Sequence, residues 1–339
     1  MSVTAPVTAL VSAPNRRAFG LVCGLVALVA VALLSIAVGS RSIPLGTVLD
    51  VLFQRDGSDS AFVVWELRVP RTLIGIAVGA SLGVAGALMQ ALTRNPLADP
   101  GLLGVNAGAS TAAALAISVF GLTDLRAFVW CAFGGAALAG VALYAIAGRG
   151  GASPVRLALA GAAVSAALTG ITQAVILLDQ QALDQMRFWT VGSLERAGWT
   201  TLVEVLPFLA VGLLIALAMG RPLNAMSLGD EAGKALGAHL GRTRLLTLVS
   251  ITLLAGAATA AVGPLVFVGL AVPHMVRTFT GPDERWVVLY CAVLAPVLLL
   301  LADVLGRVMA REEIDVGVVT ALLGAPVFLW LVRRGRARA

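Results

Sequence analysis

Ionisable chemistry is scarce in this chain. Lysine occurs once, at Lys234, histidine twice and cysteine three times, and only 12% of the 339 residues are charged. His239 and His274 stand far apart and near no cysteine or acidic cluster, so no metal centre is expected. Cys23, Cys131 and Cys291 each lie inside an apolar run, where a thiol behaves as a small hydrophobe, and they imply no disulfide framework. Gly229 and Gly233 with Lys234 do not make a phosphate loop. That motif needs four residues between its glycines and a Ser or Thr after the lysine, whereas here Ala235 follows. The chain is therefore not expected to bind nucleotide or to be an enzyme, and its own cofactor set is empty.

What is abundant is hydrocarbon. Hydrophobic residues make up 59% of the sequence and the mean hydropathy is +0.96, which places the chain among polytopic membrane proteins, where length counts spans rather than globular domains. The net charge of +6 does not indicate nucleic acid, because the arginines sit between apolar runs and at the chain ends. They read as topology signals and contacts to membrane lipid.

Read in order, residues 1–17 form a polar, flexible leader ending in Arg16 and Arg17. The uncharged run Ala18 to Ser40 is too long for the apolar core of a signal peptide and is the first span. A mixed loop, Arg41 to Glu66, follows, with a short surface helix expected over Pro44 to Phe53. Arg68 to Thr72 opens a second run to Thr93, whose Gly75, Gly79 and Gly83 let a neighbouring helix approach closely. Asn95-Pro96 and Asp99-Pro100 make a tight turn. Further spans are expected at Gly101 to Leu122, Ala127 to Gly148, Leu157 to Leu178 and Thr201 to Gly220, with Trp189 and Trp199 at an interface. Leu245 to Val276 holds no formal charge, and as one straight helix would reach about 48 Å, well beyond a bilayer core. Gly263-Pro264 and Pro273 are read as breaks, giving a span to Val262 and a short segment Leu265 to Arg277. Trp286 to Gly306 and Val316 to Val332 complete an all-α protein of about ten transmembrane helices. Both termini are Arg-rich and are expected in the cytoplasm, which an even number of spans permits.

The longest polar interruption, Arg221 to Arg244, then falls in the cytoplasm. Ser227 is read as the cap of a short helix with Asp230 and Glu231 in its first turn, where the helix dipole favours negative charge. Ala232, Ala235 and Leu236 recur at helical spacing. On composition alone this segment is either a solvated connector or a helix with a surface to press on. No charge falls in the middle third of any expected span, which argues against a proton- or sodium-driven carrier. Glu204 and Asp303 lie near span ends and read as interfacial. A membrane structural or assembly protein remains a third reading.

Several long segments carry a resemblance. RVPRTLIGIAVGASLGVAGALMQALTRNPLADPGLLGVNAGAS (Arg68 to Ser110), LGDEAGKALG (Leu228 to Gly237), GPLVFVGLAVPHMVR (Gly263 to Arg277), LLLADVLGR (Leu299 to Arg307) and EIDVGVVTALLGAPVFLWLVRR (Glu313 to Arg334) resemble the iron-siderophore, haem and cobalamin importer permeases, the type II ATP-binding-cassette importers. The resemblance implies a single permease domain over 18–339, with a cytoplasmic coupling loop at 221–244. Its expected partners are a second permease (a copy or a paralogue), two cytoplasmic ATPases carrying ATP and Mg, and an extracytoplasmic binding protein, all at the bacterial inner membrane.

The resemblance also implies roles for particular residues. Leu228, Gly229, Asp230, Glu231, Ala232, Lys234, Leu236 and Gly237 become the ATPase-coupling helix. Arg68, Arg71 and Arg307 become docking points for acidic residues of the binding protein, at a rim where charge steers association. Asn95, Pro96 and Leu97, with Pro154 and Val155, become the cytoplasmic gate, although Ser153-Pro154-Val155 departs from the small hydroxyl residues of the family member compared. The expected cargo is a ferric siderophore, with haem or cobalamin as alternatives within the family and an ion-coupled carrier as the alternative outside it.

Overall fold

A chain with this much apolar sequence must satisfy its backbone hydrogen bonds internally once in lipid, and helices do so within each segment. The computed structural model describes residues 14–39, 43–55, 57–122, 125–148, 154–235, 237, 239–310 and 312–336. Among them every regular element is helical. The order is α1 (Pro14–Ala37), α2 (Leu45–Phe53), α3 (Asp59–Phe62), a π turn (Val63–Arg68), α4 (Val69–Thr93), a 3-10 turn (Pro100–Leu103), α5 (Val105–Phe120), α6 (Leu125–Gly148), α7 (Pro154–Leu178), α8 (Gln180–Trp189), α9 (Trp199–Ser227), α10 (Asp230–Ala235), α11 (Leu240–Val262), α12 (Val268–Thr280), α13 (Glu284–Met309) and α14 (Val316–Arg336). Seven helical stretches, based on α1, α4, α6, α7, α9, α11 and α13, are long and apolar enough to cross a membrane, and α5 and α14 are shorter apolar helices. With α12, these match the ten expected runs.

Several boundaries move. Arg16 and Arg17 belong to α1, and the first 13 residues of the expected leader lie outside the described residues, as do Ser153 and Leu236. The sixth and seventh spans extend to Ser227 and back to Leu240, so the expected 221–244 loop shrinks to α10 and its short flanks. Pro222 lies inside α9. Leu223 and Met226 beyond it are buried against the bundle, and this tertiary packing outweighs the backbone bond that proline removes. Ser227 does not cap α10. It closes α9, and its hydroxyl donates back to the Asn224 carbonyl at 2.8 Å, the local bond a serine makes in a last helical turn. Pro273 likewise does not end α12, which runs through it to Thr280, while Gly263 at φ 81° makes the break after α11.

The core is centred on α4, most of whose residues are buried. Gly75, Gly79 and Gly83 face α13. A Cβ added to Gly79 would stand 2.6 Å from the Pro296 Cα, and one on Gly75 would stand 2.6 Å from a Leu300 methyl. With no hydrophobic drive between helices in lipid, this close backbone approach supplies dispersion contacts. Helices α1 and α7, by contrast, leave most of their surface uncovered. Tryptophans secure the short helices. The Trp65 indole donates to the Val51 carbonyl at 3.1 Å and the Trp199 indole to the Trp65 carbonyl at 2.9 Å, which ties α2, the π turn and α9 together.

Candidate functional site

Charged side chains gather at the two ends of the bundle. At one end the last turn of α1 leaves carbonyls with no partner of their own. Arg68 donates to the Ile36 and Ala37 carbonyls at 2.7 and 2.9 Å, and Arg307 to those of Ser35 and Val38 at 2.8 and 3.0 Å. Two cations thus complete a helix C-terminus, the sign its dipole favours. Arg307 also pairs with Asp303 one turn earlier on α13. The other oxygen of Asp303 accepts from Arg71 at 2.8 Å, and Arg71 reaches Glu313 at 2.8 Å.

The three arginines expected as docking points, Arg68, Arg71 and Arg307, come together at this end and line one open groove. Arg68 and Arg307 are each 6% exposed, because the carbonyls at the end of α1 and, for Arg307, a buried carboxylate take up their donors. Asp303, read from sequence as interfacial, is 1% exposed and is the hub of the cluster. The groove, of 520 Å³, lies beside it, and Glu66, Glu195, Arg196 and Glu313 join the three arginines in its lining.

At the opposite end, Arg94 adopts the left-handed conformation at φ 51° to close α4. Beside it the Asn95 side chain accepts the Leu97 N–H at 3.0 Å, a local turn that leaves Asn95, Pro96 and Leu97 exposed. Arg94 donates to the Met226 carbonyl and to Asp230, both at 2.7 Å, and Arg244 takes the second Asp230 oxygen at 2.7 Å. These bonds, that from Arg94 first, hold the Asp230 carboxyl below its ordinary range. Arg94 and Arg244 were not singled out by sequence, and Asp230 was read only as a dipole-favoured charge. In α10, Gly233 is buried while Glu231, Ala232, Lys234 and Ala235 are exposed, and Leu228 before it is exposed too. Gly229 and Gly237 carry φ of 108° and 81°, conformations that glycine adopts without steric cost.

The same end holds a second set. Asn224 donates to Asp283 at 2.7 Å and accepts the Glu284 N–H at 2.8 Å. Arg285 first, then Asn224, hold the Asp283 carboxyl down at about 2. Arg277 of α12 joins Gln90 of α4 to Glu284 of α13. The residues that topology assigned to one side thus meet at one end of the bundle, and those assigned to the other meet at the opposite end.

Asp99 caps the 3-10 turn by accepting the Gly101 N–H at 2.8 Å, and burial pushes its carboxyl up to about 6 from 3.8. A raised carboxylate weakens the fold in the ionised state, so wild-type stability should fall as pH rises toward and through 6 and recover toward 4. Asp99→Asn keeps an acceptor without the charge. It is expected to melt higher at pH 7.5, by on the order of 2 kcal/mol, and the gap should close near pH 4. Melting curves in mild detergent at both pH values check this, and a gap independent of pH would refute it.

Between α5, α7 and α8 opens a cavity of 540 Å³, lined in part by Asn106, Ser110, Ser165, Thr169, Gln173 and Arg187. Its walls are hydroxyl, amide and aliphatic, with one cation at the α8 side. Among the described residues no His, Cys, Asp and Glu group is arranged to hold a metal ion. Pro154 is the first residue of α7 and Val155 is exposed.

The model of the FecCD transport family matches residues 27–334. This chain belongs to that family. It is 47% identical over 304 residues to the ferric enterobactin transport system permease protein FepD of Escherichia coli (strain K12), covering 89% of this chain and 91% of the relative. The Fe(3+)-citrate import system permease protein YfmD of Bacillus subtilis (strain 168) is 42% identical over 304 residues, with the same two coverages, 89% and 91%. A solved structure of a metal-chelate type ABC transporter in an inward-facing conformation superposes with a TM-score of 0.83 at 26% identity, covering 95% of this chain and 100% of that one. In the FecCD family, then, this chain is a non-catalytic transport subunit spanning the membrane several times.

Proposed function

We propose that this chain is the permease of an ATP-driven importer that moves a ferric siderophore toward the cytoplasm of a bacterium. The observation that carries the reading is family membership joined to spans without a motor of their own. No formal charge lies in the middle third of α4, α5, α6, α7, α9, α11 or α13, where a proton- or sodium-coupled carrier places its acid. Energy therefore enters from a partner, and α10, with Leu228, Ala232 and Ala235 exposed, is the surface on which a cytoplasmic ATPase carrying ATP and Mg acts. Asn95, Pro96 and Leu97, with Pro154 and Val155, close the path on that side.

A second permease, a copy or a paralogue, covers α7, whose exposed Ala162, Ala163, Ala166, Ala167 and Gly170 permit close helix approach. The α5–α7–α8 cavity, whose hydroxyl and amide groups stand among aliphatic side chains with Arg187 at one side, suits an oxygen-rich chelate that must be held and then released. A binding protein docks at the Arg71 end, where Arg68, Arg71 and Arg307 line the open groove with the exposed Arg196. Both termini lie in the cytoplasm.

The test is to co-express the chain with its ATPase and binding protein and reconstitute the complex. ATP hydrolysis is then measured against ferric catecholate, citrate and hydroxamate chelates, haem and cobalamin. Stimulation by a loaded binding protein carrying a ferric siderophore is expected. Stimulation by haem or cobalamin alone would move the cargo within the family, and uptake on an ion gradient without any ATPase would overturn the reading.

A further inference from the structure

The bond that fastens α10 to the bundle runs straight into the neighbouring turn. A six-residue helix has too few backbone bonds to hold itself in water, and within α10 only Gly233 is buried. Its other attachment is Asp230, clamped on one oxygen by Arg94 and on the other by Arg244. Arg94 also grips the Met226 carbonyl at the end of α9, so one guanidinium spans both sides of the α9–α10 junction. The Arg94 backbone is in turn the left-handed cap of α4, one peptide from Asn95.

We propose that Arg94 is the positioning residue through which movement of α10 reaches the Asn95–Leu97 turn, with Asp230 as the joint and Arg244 as its anchor on α11. The proposal rests on the reading above, in which α10 meets the ATPase and that turn closes the path. Displacing α10 pulls Asp230 and Arg94 together, because two charge-assisted bonds at 2.7 Å join Arg94 to both ends of the junction. A shift there turns the φ of a residue already held in a sparsely populated region, and with it the orientation of Asn95. Arg244 lies on a long, packed helix and gives the joint a fixed point. The two arginines therefore have unequal duties, which the bond count alone does not reveal.

The experiment uses the reconstituted complex of permease, ATPase and binding protein and reads chelate taken up per ATP hydrolysed. Arg94→Gln is expected to lower that ratio about tenfold. Both bonds come from one guanidinium nitrogen, Nη2, so Arg94→Lys, which keeps the charge and one multiply donating nitrogen, should recover to within about threefold of wild type. Arg244→Gln, which leaves the Arg94–Asp230 arm in place, should change the ratio by less than about twofold.

An unchanged ratio for Arg94→Gln would overturn the proposal. So would an equal loss for Arg244→Gln, which would make Asp230 merely an anchor for α10. Loss of ATPase co-purification in Arg94→Gln would overturn it in favour of a docking role. A wild-type chain that accumulates chelate with no ATPase removes the function above and the link together, whereas a coupled wild type with Arg94→Gln unaffected removes the link alone.

Discussion

Asp303→Ala is expected to cost about 3–5 kcal/mol, because it strands buried cations that no other carboxylate reaches equally well. Asp303 is 1% exposed and shares its two oxygens between Arg71 and Arg307. Without it Arg307, whose side chain is 2% exposed, keeps among the described residues its neutral partners on α1, Ser35 and Val38. Arg71 keeps Glu313, which is more exposed and can be shielded by water. Replacing Glu313 by alanine should therefore cost about 1 kcal/mol or less.

Thermal unfolding in mild detergent compares the two variants. Removing both members of the buried pair, as Asp303→Ala with Arg307→Leu, should recover part of the loss, since no orphan charge then remains. The same loss should loosen α1, whose last carbonyls depend on Arg68 and Arg307, and hydrogen exchange along α1 would register it. Equal melting temperatures for Asp303→Ala and Glu313→Ala would show that the cluster is not a buried network.

The contrast between Asp303 and Arg94 shows what the sequence could and could not disclose. The long apolar runs were legible because bilayer thickness imposes a length on them, and the short segment after Gly263-Pro264 because those residues break the helix before it. The glycine series in α4 was legible because close helix packing imposes a residue size. The end at which each charge lies followed from span parity and arginine bias. None of these rules pairs one side chain with another across the fold. Asp303 looked interfacial by its distance from a span end, yet its partner Arg71 lies 232 positions away. Arg94 was given no role, and its bond to Asp230 spans 136 positions. The helix ends at Ser227 and Leu240 were misplaced for a related reason, since buried Leu223, Met226 and Leu240 extend helices that polarity and Pro222 would have stopped. Asp99 fell between the two cases. Its capping position before Pro100 is a local signal, but the burial that raises its carboxyl is tertiary.

A glycine that sequence did not separate from its neighbours carries the other large effect. Gly86→Val is expected to cost at least about 3 kcal/mol and to prevent recovery of monodisperse protein. A methyl group built on Gly86 would fall inside the contact radius of the Gly269 carbonyl oxygen on α12, with Gly269 backbone behind it. Backbone atoms cannot rotate aside as a side chain can. Pro273 explains why that carbonyl faces α4. Having no N–H, it offers none to the carbonyl four residues before it, Gly269, so this oxygen lacks its intrahelical donor and sits against Gly86, where α4 has no side chain. Gly86, Gly269 and Pro273 therefore act as one joint.

The joint matters because α12 has 13 residues, about 20 Å of helix, too short to cross a bilayer unless α4 and α13 cover it. Gly134→Ala on α6 is the control. Nothing lies within 4 Å of a Cβ placed there, and alanine's higher helix propensity should stabilise it by up to about 1 kcal/mol. Size-exclusion profiles and melting temperatures of the two variants decide the matter. Wild-type behaviour of Gly86→Val would mean that α12 can move away from α4 without loss, and that α13 and α14 suffice to hold the short segment.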